Sequence, residues 1–289
     1  MEAKFSRIIQ GCMGWGIWGT ELSESEMTRR IHHCLEQGIT SFDHADIYGD
    51  YTTEAAFGKA FVSSGVKRED IQLISKCGIQ YVGNTRANEM KHYQYDADYI
   101  TWSAEKSISD LNADYLDLLL LHRPSPLIQP DEVAKAVDKL TSEGKIKSFG
   151  LSNFTPSQTA LVASRSKVSA NQIEFSITAF EAMWNGSLDH MMLNNITPMC
   201  WSPLGAVFKD DNEQTKRIHA VLDELVEKYK ASKDQLLLAW ILKHPSGIHP
   251  VIGTATPERI TKASEAVKID LSEIDWFKML VASQGHKVA

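Results

Sequence analysis

Short runs of apolar and β-branched residues alternate along the chain with longer segments in which apolar positions recur every three to four residues. The short runs fall at 7–11, 40–43, 71–76, 116–122, 147–152, 170–174, 197–201 and 249–252. Several are apolar almost throughout, the pattern of parallel strands covered on both faces. Helical segments run over 24–37, 53–63, 97–112, 131–144, 155–164, 188–195 and 212–229, with more helix at 233–243, 257–266 and 271–282. Local end signals agree. Ser23 with Glu26 three residues on reads as a capping box, and Gly38 and Gly144 close the helices before them.

Eight strands, most followed by a helix, predict an α/β fold of the (β/α)8 TIM-barrel type. It would be one domain over 1–289, with its active site at the C-terminal ends of the strands. The competing architecture is a doubly wound sheet, which wants a GxGxxG loop opening a helix. Here the glycine-dense stretch has Gly11, Gly14 and Gly16, and no clear helix follows at once. One long connection, GIQYVGNTRANEMKHYQYD at 78–96, follows the third strand. Connections of that length are functional or disordered; Tyr81, Tyr93 and Tyr95 favour an ordered loop over the barrel mouth.

Composition narrows the function classes. The 289 residues are 43% hydrophobic and 23% charged, enough for a sizeable core. A formal net charge of −7 without a Lys/Arg block argues against a nucleic-acid partner. No apolar run reaches membrane-spanning length, and the first residues lack a secretory pattern. Cys12, Cys34, Cys77 and Cys200 form no CxxC pair, which suits buried thiols in a reduced, cytoplasmic chain.

The strand ends carry the candidate chemistry. They present Asp43, with Tyr48 five residues on; Lys76; His122; Ser152 and Asn153; Gln172; Trp201 and Ser202; and Gly253 and Thr254. An acid, a phenol, an amine and an imidazole at one rim are complementary. A phenol is a poor proton donor at neutral pH, a neighbouring ammonium favours its phenolate, and a carboxylate keeps the ammonium charged and in place. An imidazole can donate to a substrate oxygen. The set suits protonation of an oxyanion formed at a carbonyl carbon. Singly, each has a plainer reading: a structural ion pair, a packing tyrosine, a loop-capping histidine. Their conjunction on three consecutive strands points to a site. His44 and Asp46 form an HxD that Asp43 and His122 could extend into the metal set of a barrel hydrolase. Zinc needs three converging ligands and the first strand has no HxH, so no metal is expected.

FDHADIYG, at 42–49, resembles the signature of the aldo-keto reductase superfamily, an aspartate followed at this spacing by the catalytic tyrosine. The likeness continues in the family's order through ISKCG, DLLLLHRP, IKSFGLSNF, NQIEFS, CWSPLGAVF and VIGTATPERI, over nearly the whole chain, and HYQYD resembles a bacterial short-chain branch. The resemblance implies an NADPH-dependent oxidoreductase, with NADH possible, that acts on a small-molecule carbonyl substrate. Asp43, Tyr48, Lys76 and His122 would be its tetrad. Tyr48 would be the general acid, its pKa lowered by Lys76 paired with Asp43, and His122 would orient the carbonyl.

The resemblance also places Ser152, Asn153 and Gln172 at the nicotinamide carboxamide, Trp201 against its ring, and Ser202, Leu204 and Gly205 around the pyrophosphate. Thr254 and Arg259 match residues at the 2′-phosphate of NADPH. Gly253 and Ala263 stand where many members have lysine and asparagine, which leaves NADH open. Trp15 and Trp18, with Tyr48 and the 78–96 loop, would face the substrate. The short stretch SQGHKVA implies broad specificity, with His286 and Lys287 in a loose tail. Some relatives keep fold and cofactor as regulatory or structural proteins, and that alternative stands beside the enzyme. No interface patch is legible, so the oligomeric state is open.

Overall fold

In chain order the strands are β1 (Ile9–Gly11), β2 (Ser41–Asp43), β3 (Gln72–Cys77), β4 (Ile79–Gln80), β5 (His92–Tyr93), β6 (Leu118–Leu121), β7 (Phe149–Ser152), β8 (Ala170–Glu174), β9 (Thr197–Trp201) and β10 (His249–Ile252). The helices are α1 (Glu24–Glu36), α2 (Thr53–Ser64), α3 (Ala97–Asp110), α4 (Pro130–Ser142), α5 (Pro156–Ala163), α6 (Ser187–Leu193), α7 (Glu213–Tyr229), α8 (Lys233–Leu242), α9 (Pro257–Glu265) and α10 (Glu273–Gln284). The computed structural model describes residues 4–288; the first three residues of the N-terminal stretch and Ala289 lie outside it. Eight strands close a parallel barrel in the order β1, β10, β9, β8, β7, β6, β3, β2. The barrel is the (β/α)8 form, not the doubly wound sheet.

Strand periodicity decides what the barrel presents at its mouth. Side chains alternate between faces with period two. Ile9, Ile74, Leu118, Leu120, Ala170, Met199 and Val251 form one cluster inside the barrel. Their neighbours Phe42, Leu73, Leu119, Leu121, Leu151 and Ile252 belong to the larger layer between strands and helices. Leu118 and Leu120 are fully buried, which contributes about 2 kcal/mol each. Two residues beyond interior Ile74 comes Lys76; beyond Leu120 comes His122; beyond Ala170, Gln172; beyond Met199, Trp201. The same alternation that packs the core therefore delivers polar groups to its C-terminal rim.

Local expectations hold at the helix ends. Ser23 and Glu26 form the capping box, and Gly38 and Gly144 take left-handed φ of 73° and 71°. β8, β9 and β10 match their apolar runs and β3 keeps its run's length, whereas β1, β2, β6 and β7 are shorter because burial extends past ladder pairing. Ile8 is buried yet precedes β1, and Arg7 spends its guanidinium on the carbonyls of Leu242, Gly247 and Ile248. The 78–96 connection holds an antiparallel hairpin that sequence periodicity did not indicate: β4 and β5 pair Ile79 with Tyr93 and Gln80 with His92. Two-residue strands are too short to show an alternation. All four cysteines are free and buried. Among the described residues no helix is long and apolar enough to cross a membrane.

Candidate active site

β2, β3 and β6 deliver an acid, an amine and an imidazole to one rim, and the turn after β2 adds a phenol. The Lys76 ammonium donates to Asp43 Oδ2 at 2.7 Å, to the Tyr48 hydroxyl at 2.9 Å and to the His44 carbonyl at 2.8 Å. All three of its N–H groups are used. Gln172 Nε2 donates to the other Asp43 oxygen at 2.9 Å, so the carboxylate is held from both sides. The His122 ring meets the Tyr48 ring edge-on, centroids 6.1 Å apart. The four candidate residues are thus brought together, all of them buried.

Burial and charge set the protonation states. Burial opposes charge on Lys76, but Asp43 and Tyr48 outweigh it and raise its pKa above the ordinary lysine value. Burial likewise raises the Tyr48 phenol, with Lys76 working against it. The lowered tyrosine pKa expected from the lysine is therefore not reached: desolvation wins and Tyr48 is a protonated phenol at neutral pH. His122 is held well below the ordinary histidine range, first by burial and then by Lys76, Arg123 and Lys91. Its imidazole is neutral, so a ring N–H can donate to a ligand oxygen without carrying charge.

The floor beside the tetrad is polar. Ser152 and Gln172 are buried, and Asn153 takes a left-handed φ of 64° at the end of β7. Asn153 Nδ2 donates to Ser152 Oγ at 2.8 Å, and its Oδ1 accepts from Trp201 Nε1 at 2.9 Å, which fixes a half-buried indole at the end of β9. Ser202 and Gly205 follow with φ of 50° and 55°. A Cβ at Gly205 would collide with the hydroxyls of Thr178 and Ser176, so glycine is required there. Leu204 packs on the main core, and Ala206 N–H donates to Thr178 Oγ1 at 3.0 Å. After β10, the Thr254 carbonyl accepts from buried Gln10 at 3.0 Å. Arg259 lies exposed on α9, Ala263 is buried, and a Cβ at Gly253 would meet only open space. Buried amide and hydroxyl groups, a fixed flat aromatic and a tight small-residue loop fit a nicotinamide and its pyrophosphate.

A model of the Aldo/keto reductase family matches residues 7–280. The chain belongs to that family. It is 39% identical over 293 residues to the uncharacterized oxidoreductase YcsN of Bacillus subtilis, covering 99% of this chain and 97% of YcsN. It is 37% identical over 294 residues to a 6-dehydroglucose reductase of Agrobacterium fabrum, covering 100% and 97% of the two chains. Among solved structures it superposes on an aldo/keto reductase from Klebsiella pneumoniae, in complex with NADP and acetate, with a TM-score of 0.76. That pair is 22% identical, covering 94% of this chain and 89% of the other. The protein is an oxidoreductase of the aldo-keto reductase type, with that family's general chemistry of nicotinamide-dependent carbonyl reduction.

The lip of this aldo-keto reductase is aromatic, although Trp15 is not part of it. Trp15 is wholly buried against Phe42 and Phe57, ring centroids 6.3 and 6.0 Å away, in the layer behind the barrel wall. Trp18 does reach the lip, 37% exposed and edge-on to Tyr81 of the hairpin at 5.1 Å. The hairpin is tied to the segment that carries Tyr48. Asp50 Oδ2 accepts from the N–H groups of Asn84 and Thr85 at 2.7 and 3.1 Å. The Tyr51 hydroxyl donates to the Ile79 carbonyl at 3.3 Å and accepts from Tyr81 N–H at 2.9 Å. Arg86 lies over the Tyr51 ring at 3.6 Å.

The remaining polar residues of SFDHADIYGD point away from the rim. His44 is one step out of phase with Asp43, so its ring packs edge-on to Phe57 of α2 at 4.4 Å. Burial and then Lys76 push its pKa down to about 3, and neither ring nitrogen has a hydrogen-bond partner. Asp46 accepts from the Tyr99 and Ser103 hydroxyls at 3.3 and 3.1 Å and braces α3. Among the described residues no three His, Cys, Asp or Glu side chains converge on a metal position. Sequence reasoning missed Glu54, a fully buried acid on α2 bonded by the Ser75 hydroxyl. It also missed Asp50, whose carboxylate ties the hairpin to the segment that carries Tyr48. An acid in a helix's first turn is ordinary, and nothing in the sequence marks this one as buried.

Proposed function

We propose that this aldo-keto reductase uses NADPH to reduce aldehyde or ketone carbonyls to alcohols, with Tyr48 as the proton donor. The observation that carries the reading is the Lys76 ammonium bonded at once to Asp43 and to the Tyr48 hydroxyl. The nicotinamide, when bound, supplies hydride to the carbonyl carbon. Tyr48 supplies the proton to the oxygen, for which its burial-raised pKa keeps it loaded. Lys76 stabilises the phenolate left behind, and Asp43 holds Lys76 in the charged form. Neutral His122 donates to the same oxygen and orients the carbonyl.

Ser152 and the Gln172 Oε1 would hold the carboxamide, Asn153 positions the Trp201 indole against the ring, and Ser202, Leu204 and Gly205 would contact the pyrophosphate. Thr254 and Arg259 would take the 2′-phosphate, since a guanidinium suits it bidentately. The open space at Gly253 leaves NADH as a second cofactor. The 6-dehydroglucose reductase name of one relative makes sugar-derived aldehydes the first class to try. The Trp18–Tyr81 lip also suits an apolar face. Oxidation of NADPH and of NADH should be followed against aldehydes, ketones, dicarbonyls and a sugar dialdehyde. Carbonyl-dependent oxidation, faster with NADPH, is expected; a panel that oxidises neither cofactor overturns the reading.

A further inference from the structure

We propose that Arg123 selects the substrate at this site, binding a carboxylate carried by the carbonyl compound at a distance from the carbon that is reduced. The proposal rests on the reductase reading and names the substrate class within it. Arg123 follows His122 at the end of β6, and its backbone is clamped by one side chain. The Tyr95 hydroxyl donates to the Arg123 carbonyl at 2.5 Å and accepts from its N–H at 3.1 Å. Tyr95 is itself buried, its ring lying where a Cβ at Gly78 would be. The half-buried side chain then reaches over Trp201, its guanidinium carbon 5.5 Å from the ring centroid.

That guanidinium is left without an acceptor. Among the described residues it makes no hydrogen bond and has no carboxylate within 4.0 Å. Half-buried Arg30, on the outer helix α1, also lacks an acceptor, whereas half-buried Arg7, Arg68 and Arg86 have partners. Arg7 bonds three backbone carbonyls, Arg68 bonds Asp117, and Arg86 bonds the Tyr99 hydroxyl and stacks on Tyr51. Positive charge also gathers where Arg123 sits. Lys76, Arg123 and Lys91 all act on His122 as cations. The carboxylate at hand, Asp43, is already bonded by Lys76 and Gln172. A guanidinium fork matches a carboxylate in a two-point pair. A cofactor phosphate is the other source of anion. The residues suited to phosphates follow β9 and β10, whereas Arg123 shares the tetrad end with His122, which favours the substrate.

The test compares 4-carboxybenzaldehyde with its uncharged methyl ester, in wild type, Arg123→Ala and Arg123→Lys, alongside NADPH titration by tryptophan fluorescence. We expect kcat/KM to favour the acid at least about tenfold in wild type, with the gap narrowing at high salt as screening demands. R123A should erase the preference by raising KM for the acid far more than for the ester, and R123K should retain part of it. Equal kcat/KM for acid and ester in wild type overturns the proposal while leaving the reductase reading intact. So does an R123A variant that keeps the preference, or whose main loss is NADPH affinity. Benzoate and benzamide binding to the NADP+-loaded enzyme tests the anchor without turnover. Tighter benzoate in wild type but not R123A supports it, and equal affinities overturn it whether or not any aldehyde is reduced.

Discussion

Lys76 is a charge in a place where charge is costly, and its partners explain why it is tolerated. Removing an ion from water is offset only when attraction and hydrogen bonds satisfy every donor; here a carboxylate, a phenol and a carbonyl do so. Glu54 makes the opposite choice one layer out. With only hydroxyl partners, burial raises its pKa from 4.5 to about 7. A raised acid binds more protons folded than unfolded, so its stabilising effect is present at low pH and is lost as pH rises from about 4.5 through about 7. Glu54→Gln keeps an acceptor for Ser75 and removes the ionisation. Relative to wild type, it should therefore gain about 2 to 3 kcal/mol between about pH 5 and about pH 8, at roughly 1.4 kcal/mol per pKa unit. Thermal denaturation at the two pH values measures it, and a pH-independent difference would show that Glu54 does not titrate in this window.

At the same scale, legibility divides along strand phase. Asp43, Lys76 and His122 could be picked from sequence because each ends a strand run on the inward face, and Gln172 because it is a polar residue carried within the run that forms β8. Trp15 could not be assigned that way, since its place behind Phe42 depends on how the first loop packs.

Among the elements, the segment after Tyr48 stores strain. Gly49, Asp50 and Tyr51 take positive φ of 58°, 53° and 65° in succession. For the two non-glycine residues that costs about 1 to 3 kcal/mol each. The hairpin offsets it, through the Asp50 carboxylate on two backbone N–H groups and the Tyr51 hydroxyl on two more backbone atoms. The segment after Tyr48 and the hairpin are therefore one mechanical unit. Asp50→Ala should loosen the hairpin, make 83–88 a site of faster proteolysis, and raise KM for a bulky aldehyde about fivefold by the loss of bonds worth about 1 kcal/mol. NADPH affinity should stay within about twofold by the same reckoning. Asp50→Asn, which keeps an oxygen acceptor and tolerates left-handed φ, should lose less. Unchanged proteolysis and KM in D50A would dissociate hairpin from lip. From sequence, the three tyrosines suggested order in this loop, but the tether was not legible because Asp50 and Asn84 meet only through the fold.

Across the whole molecule, the barrel closes where β1 pairs with β10, Ile9 opposite Val251 and Gln10 opposite Ile252. That pairing brings the first and last strands together, so candidate cofactor positions drawn from β7 to β10 share a rim with the tetrad from β2, β3 and β6. Strand number and mouth were readable because each buried parallel strand is a discrete apolar run with a helix behind it. The ten helices of the shell were readable too, each within about two residues of its expected segment, whereas the hairpin needed coordinates. The chain carries a formal net charge of −7, yet Lys76, Arg123 and Lys91 all act as cations on His122 at the tetrad. Local positive charge on an acidic molecule attracts anionic ligands to that end.

The central claim is that Tyr48 gives the proton and the rest of the site holds and orients. Tyr48→Phe removes one oxygen from a residue whose ring already packs with Ala45, Ile47 and Ile79. The most direct measurement is aldehyde-dependent NADPH oxidation by that variant beside its NADPH affinity by tryptophan fluorescence. We expect turnover to fall about a hundred- to ten-thousandfold, the range for loss of a general acid, with affinity nearly unchanged. Reduction of the aldehyde at the wild-type rate by Tyr48→Phe would contradict it.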